Sequence, residues 1–273
     1  MIATFRKILI PVDFTVNTEL ALKKALGLIG QQEPEICLLH VLKIRTGKGA
    51  GKYILREAGR KLDQWKESIG ETAPGIRIRT GILYNNSVEQ AIAEYAKGQK
   101  PDLIIVGKTG KRHYRLFHRP LSPDRIARES NCPVLTIKPG CFHSETRIIV
   151  MPVRDFVPER KLELAILMAR RYKASVHLLV IREEKEWNGE QSQPFLQAYR
   201  VLRENLHHSV EYYSIAKRNA VRATLNYARE VMADMILVNP ETESGIRGFP
   251  GVRHISDLLN SQSKIQVLDV LPY

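Results

Sequence analysis

Apolar runs of strand length recur along this chain with stretches of helix length between them, and that alternation restricts its fold more than any other feature. The runs ILIPV at 8–12 and LIIVG at 103–107 are apolar almost throughout, as strands buried on both faces of a parallel sheet are. Parallel neighbours cannot be joined by tight hairpins, and the helical stretches between the runs supply the crossovers. In the first half the pattern predicts strands over 7–12, 35–42, 76–82, 102–106 and 133–137, with helices over 18–30, 52–70, 87–98 and 123–130.

The second half repeats the plan. Strands are expected over 147–153, 174–181, 210–215, 234–238 and 264–270, with helices over 158–172, 194–207, 219–232 and 252–261. KILIPVD returns as RIIVMPVR, CLLHVL as VHLLVI and PDLIIVGKT as ADMILVNPE, so the chain reads as a duplicated unit. A length of 273 residues has room for two such units, each able to bury its own core. Pro139, Gly140 and polar neighbours in KPGCFHSET separate them, giving domains over 1–140 and 145–273. The fold class is α/β: two tandem open-twisted parallel five-stranded sheets, Rossmann-like, with helices on both faces.

No run of eighteen apolar residues exists, and MIATFRKILIPVDF leads straight into a strand pattern without a signal-peptide core. A cytoplasmic protein with no membrane partner is expected. Cys37, Cys132 and Cys141 are odd in number and widely spaced, which suggests neither a disulfide framework nor a cysteine zinc site; Cys37 reads as a small core residue. Net charge is +13, and residues 1–142 hold most of it, with 24 Lys and Arg against 13 Asp and Glu. Such an excess attracts anionic partners without naming one.

Ligands of open parallel sheets bind beyond the carboxyl ends of the strands, where strand order reverses. Pro11-Val12-Asp13, His40-Val41-Leu42 and Val106-Gly107-Lys108-Thr109-Gly110 lie at such ends. Together, ILIPVDF, LLHV, DLIIVGKTG and NCPVLTIKP resemble the universal stress protein family, whose fold is a five-stranded parallel α/β sandwich. The resemblance covers the first half directly and the second through its repeat.

The resemblance implies an adenine-nucleotide site in the first copy, with Asp13 and Val41 on the adenosine and a stretch of pattern G-x2-G-x9-G-[S/T] cradling the phosphates of ATP and its Mg. Gly107 and Gly110 match the first two glycines, and Lys108 lies between them. Pro120 and Leu121 stand where the third glycine and the hydroxyl residue belong, removing an amide donor and a hydroxyl. Ser122-Pro123-Asp124 still reads as an N-cap serine with proline at the first helical position, aiming a helix N-terminus at this region. In the second copy Arg154 takes the place of Asp13, and Asn239-Pro240-Glu241-Thr242 carries no glycine pair.

Other motifs fail on inspection. TGKGAGKY at 46–53 is too short for a P-loop and lacks the magnesium-binding hydroxyl, so it reads as a flexible connector. His207 and His208 are adjacent and point apart on a helix. No nucleophile elbow or Cys–His arrangement stands out. Trp65 and Trp187 read as core or interface residues. The expected function is a tandem stress-response regulator with one adenine-nucleotide site, at most weakly hydrolysing ATP. The alternative is an interaction module whose basic 108–128 loop, with Lys108, Lys111, Arg112, Arg115, Arg119, Arg125, Arg128, His113 and His118, binds a protein or, less readily, nucleic acid. The two copies are expected to pair within the chain as a pseudo-dimer, with association into a homodimer left open.

Overall fold

The structure, a computed structural model, describes residues 4–43, 50–108, 121–141, 145–154, 156–182, 193–216, 219–241, 243, 254–260 and 262–272. The chain divides into two compact units, Thr4–Ile137 and Lys138–Tyr273. In the first, β1 (Lys7–Pro11), β2 (Glu35–Leu42), β3 (Arg77–Tyr84), β4 (Leu103–Gly107) and β5 (Val134–Ile137) alternate with α1 (Val16–Leu28), α2 (Ala50–Thr72), α3 (Val88–Gln99) and α4 (Pro123–Ser130). The strands run parallel in the order β3-β2-β1-β4-β5. The second unit repeats this with β6 (Ile148–Val153), α5 (Glu159–Tyr172), β7 (Ser175–Arg182), α6 (Gln193–Asn205), β8 (Val210–Ala216), α7 (Ala220–Glu230), β9 (Met235–Val238) and β10 (Gln266–Asp269). Its parallel order is β8-β7-β6-β9-β10.

The apolar runs are the central strands. Ile8, Leu9 and Ile10 of β1, Leu103 to Ile105 of β4 and all four residues of β9 are fully buried. Helices cover them with stripes at helical spacing, such as Leu20, Ala21, Ala25 and Leu28 on α1. The duplication extends to a shared device at the amino edge. Asp102 Oδ2 accepts the N–H groups of Arg6 (2.8 Å) and Lys7 (2.9 Å), and Asp234 Oδ2 accepts those of Arg147 (2.7 Å) and Ile148 (3.1 Å). Each aspartate ties the start of its unit's first strand to the start of the fourth.

Two differences from the sequence reading have local causes. The helix expected over 252–261 is a 3-10 turn at Ile255–Leu258 among the described residues, capped by His254 and Asp257. The segment 46–53, read as a connector, enters α2 at Ala50, because the amphipathic period of Ala58, Leu62, Trp65 and Ile69 carries the helix two residues further back than expected. No helix among the described residues is long and apolar enough to cross a membrane.

Glu35 on β2 joins three strands, meeting Lys7 Nζ of β1 at 2.9 Å and Arg79 Nε of β3 at 2.9 Å. Burial alone pushes its carboxyl up, but the Lys7 hydrogen bond and charge, with Arg79, outweigh it and hold the group below the usual carboxylate range. Glu35 therefore binds its proton more weakly in the folded state. Its stabilisation is complete above the unfolded value of 4.5 and fades as pH falls below it. Glu35→Gln is expected to lose about 1–2 kcal/mol at neutral pH, with the gap to the parent closing in acid; urea midpoints across a pH series check this. A gap that does not change with pH would remove the linkage. Beside it, Cys37 is 1% exposed and its thiol is pushed up to about 11, mainly by burial, so it is core.

Candidate functional site

Strand order in the first unit reverses between β1 and β4, the place where open parallel sheets take ligands. The β1–β2 register pairs residue i with i+28 up to Pro11 and Leu39, so two residues further on Asp13 comes level with Val41. The β1–β4 register, Ile8 with Leu103 and Leu9 with Ile104, brings Val12 level with Gly107. Asp13, Val41, Gly107 and Lys108 thus share one edge, and Ser122 stands at the N-cap position of the helix that follows β4. The first turn past β1 is fixed from both sides: Val12 N donates to Leu39 O at 2.8 Å, and Val12 O accepts His40 Nδ1 at 2.7 Å. A donating Nδ1 leaves Nε2 as the acceptor of a neutral ring.

Asp13 is exposed, and its role in the turn is plain. One oxygen, Oδ1, accepts Thr15 N (3.0 Å), Thr15 Oγ1 (2.6 Å) and Thr18 Oγ1 (2.6 Å). Thr15 then caps α1, its hydroxyl taking Asn17 N at 3.3 Å. The aspartate organises the loop before α1, as an acidic residue after a strand often does. Phe14 adopts φ 57°, a left-handed conformation unusual for an aromatic residue. Its ring lies 4.7 Å from His40 and meets Trp65 edge-on at 6.1 Å, with Lys61 Nζ 5.4 Å away. Trp65, expected in a core or interface, contributes here to an aromatic wall beside Asp13.

The phosphate end differs from the expected cradle. Gly107 is required by packing, since a Cβ there would stand 2.2 Å from Asn17 O. Lys108 is buried, and its N–H donates to Ile137 O at 2.9 Å, so that amide belongs to the sheet. Ser122 occupies the cap position without capping: its hydroxyl donates to Asp124 Oδ1 at 2.5 Å. Leu121 packs against the apolar cluster of Ile92, Val106, Ile126 and Ala127, where Val41 also rests. Arg125 pairs with Glu129 at 2.6 Å and Arg128 with Asp124 at 2.8 Å. Gly110, Pro120 and the basic residues from Lys111 to Arg119, with His113 and His118, lie outside the described residues. So does Trp187. Of the positions assigned by the resemblance, Asp13 and Val41 lie at the described edge, while the Lys108 amide and the Ser122 hydroxyl are engaged within the chain.

The second unit's corresponding edge is built from residues the sequence reading did not single out. Arg154 stands where Asp13 does, as expected. Lys161 on α5 is 0% exposed and its ammonium donates to Pro152 O and to Glu243 Oε2. In the same unit, His254 Nε2 meets Asp269 Oδ1 at 2.7 Å, while His254 Nδ1 accepts the hydroxyl of Ser256 at 2.7 Å. Lys138 donates to the carbonyls of Ser256 and Leu259. These groups are all buried, and the Ser256-His254-Asp269 array ties the 3-10 turn to β10. One signal was available: Lys161 falls on the apolar stripe of Leu164, Ala165, Met168 and Ala169.

The model of the universal stress protein family matches residues 4–138. The chain is 26% identical over 142 residues to the universal stress protein MJ0531 of Methanocaldococcus jannaschii, a match covering 49% of this chain and 82% of that one. It is also 26% identical over 161 residues to MJ0577 of the same organism, covering 50% and 98%. A universal stress protein structure from Archaeoglobus fulgidus superposes with TM-score 0.66 at 16% identity, covering 97% of this chain and 96% of that one. That likeness concerns the fold alone, and it extends across both units. Motif, sheet order and matched segment agree: through residues 4–138 the chain belongs to the universal stress protein family.

Proposed function

We propose that the chain is a non-catalytic regulator of the cytoplasmic stress response that takes one adenine nucleotide, with Mg on its phosphates, at the carboxyl edge of the first unit. The observation behind this reading is the alignment of Asp13, Val41 and Gly107 at the point of strand reversal. Asp13, held in place by Thr15 and Thr18, offers a fixed carboxylate to a donor on the adenosine, and Val41 offers half-buried apolar surface. Gly107, Lys108 and Ser122 flank the phosphates on this reading, and Gly110 is assigned to them by its match to the family motif alone. Calorimetric titration with ATP and Mg is expected to give micromolar binding, weakened tenfold or more by Asp13→Ala, a loss of about 1.4 kcal/mol. A parent protein that gives no heat and displaces no fluorescent ATP analogue would end this reading.

A second reading rests on Leu121. With the hydroxyl position turned into an apolar anchor and the Lys108 amide used by the sheet, the segment 108–128 serves as a nucleotide-independent docking loop for a protein or nucleic-acid partner. The pairing of Arg125 and Arg128 with their own helix reduces the charge on offer. Nucleic-acid binding through the remaining cations must fall steeply with salt; no binding at low salt removes it.

A further inference from the structure

At the carboxyl edge of the second unit a carboxylate is bound as a ligand would be. Lys161 reaches it from α5, its ammonium 2.5 Å from Glu243 Oε2. The same oxygen accepts the N–H of Asn239, the residue after β9, at 2.7 Å. A third hydrogen bond, from Glu243 N to Asn239 O at 2.9 Å, pins the residue by its backbone. Arg154 adds positive field, and Pro152 O at the end of β6 takes another ammonium proton. Lys161 and Glu243 are 0% and 2% exposed. The spot lies between β6 and β9, where this sheet reverses its order, and an ammonium with a strand-end N–H converging on one point makes an anion site.

We propose that the switch point of the second unit is an oxyanion site filled by the chain's own Glu243, so that this unit takes a small carboxylate only when that side chain is removed. The two units differ at one equivalent position. The third residue after the N-cap of the first helix is Thr18 in the first unit and Lys161 in the second. Thr18 bonds Asp13, whereas Lys161 meets a carboxylate from just beyond the end of β9. Burial pushes the Glu243 carboxyl up and the Lys161 ammonium down, each opposed by its partner. Removing one therefore leaves the other in need of a replacement. The second unit is closed to nucleotide by this internal occupant.

Glu243→Ala deletes a group with the shape of acetate, which makes acetate the probe. In the full chain, sodium acetate is expected to raise the melting temperature of Glu243→Ala along a saturating curve. The rise should exceed that in sodium chloride of equal ionic strength by about 5 °C. Neutral acetamide should not act, nor should acetate on the parent, whose site is filled, or on Lys161→Met/Glu243→Ala, which lacks the cation. Should Glu243→Ala be unfolded in chloride, the same comparison is read as recovery of helical circular dichroism on adding acetate. Acetate no better than chloride or acetamide on the single variant, or equally effective on the parent or the double variant, overturns the proposal.

Discussion

Lys161→Met is expected to lower the stability of the second unit by about 3–5 kcal/mol, the range for deleting one partner of a buried ion pair. The loss exceeds that of any single hydrogen bond because Glu243, 2% exposed, keeps its carboxylate and loses the ammonium beside it. Methionine fills most of the volume, so a cavity contributes little. Two controls separate charge from packing. Lys161→Met/Glu243→Gln should recover more than half of the loss, since glutamine retains an acceptor for Asn239 N without a charge. The penalty should also shrink in acid. With its partner gone, the Glu243 carboxyl stays above its unfolded value of 4.5, so the strain is greatest at neutral pH and relaxes as pH falls toward that value. Urea unfolding of the three proteins at two pH values checks both, and a double variant as unstable as the single would assign the effect to packing.

Gly107→Ala is the second large effect, about 3 kcal/mol at the upper end for overpacking. The new methyl would lie 2.2 Å from Asn17 O and 2.6 Å from Asn17 C, both backbone atoms of the first turn of α1. No rotamer change relieves such a contact; the helix must shift against β4. Gly98 on α3 has nothing within 4 Å of its Cβ position, and the same exchange there should stabilise by about 0.5–1 kcal/mol. Thermal melts of the pair are expected to move in opposite directions. A tolerated Gly107→Ala would mean that α1 is not seated as described. Since Gly107 is already needed for packing, its replacement does not isolate nucleotide binding, and Asp13→Ala is the cleaner probe.

The parallel sheets were legible in the sequence because strands buried on both faces are apolar at every position, a signal independent of context. Strand ends fell within two residues of the prediction for the same reason, the polar flanks marking the edges. The 3-10 turn at Ile255–Leu258 was not legible, since its start is set by His254, the N-cap, finding Asp269 on β10. The candidate site divides along the same line. Asp13, Val41 and Gly107 were singled out by their place at strand ends and by the family resemblance, while the uses made of Lys108 N, the Ser122 hydroxyl and the Leu121 side chain depend on tertiary neighbours. Lys161 sat in view on an apolar stripe, but its meaning required Glu243, far along the chain.

That separation of 82 residues also bears on the order of assembly. Bringing the ends of so long a segment together costs entropy that one ion pair cannot repay early, so β6 and β9 must already lie side by side before ammonium and carboxylate meet. The pair is a late arrival, a keystone set after the arch is raised. It does little to find the fold of the second half and much to keep it.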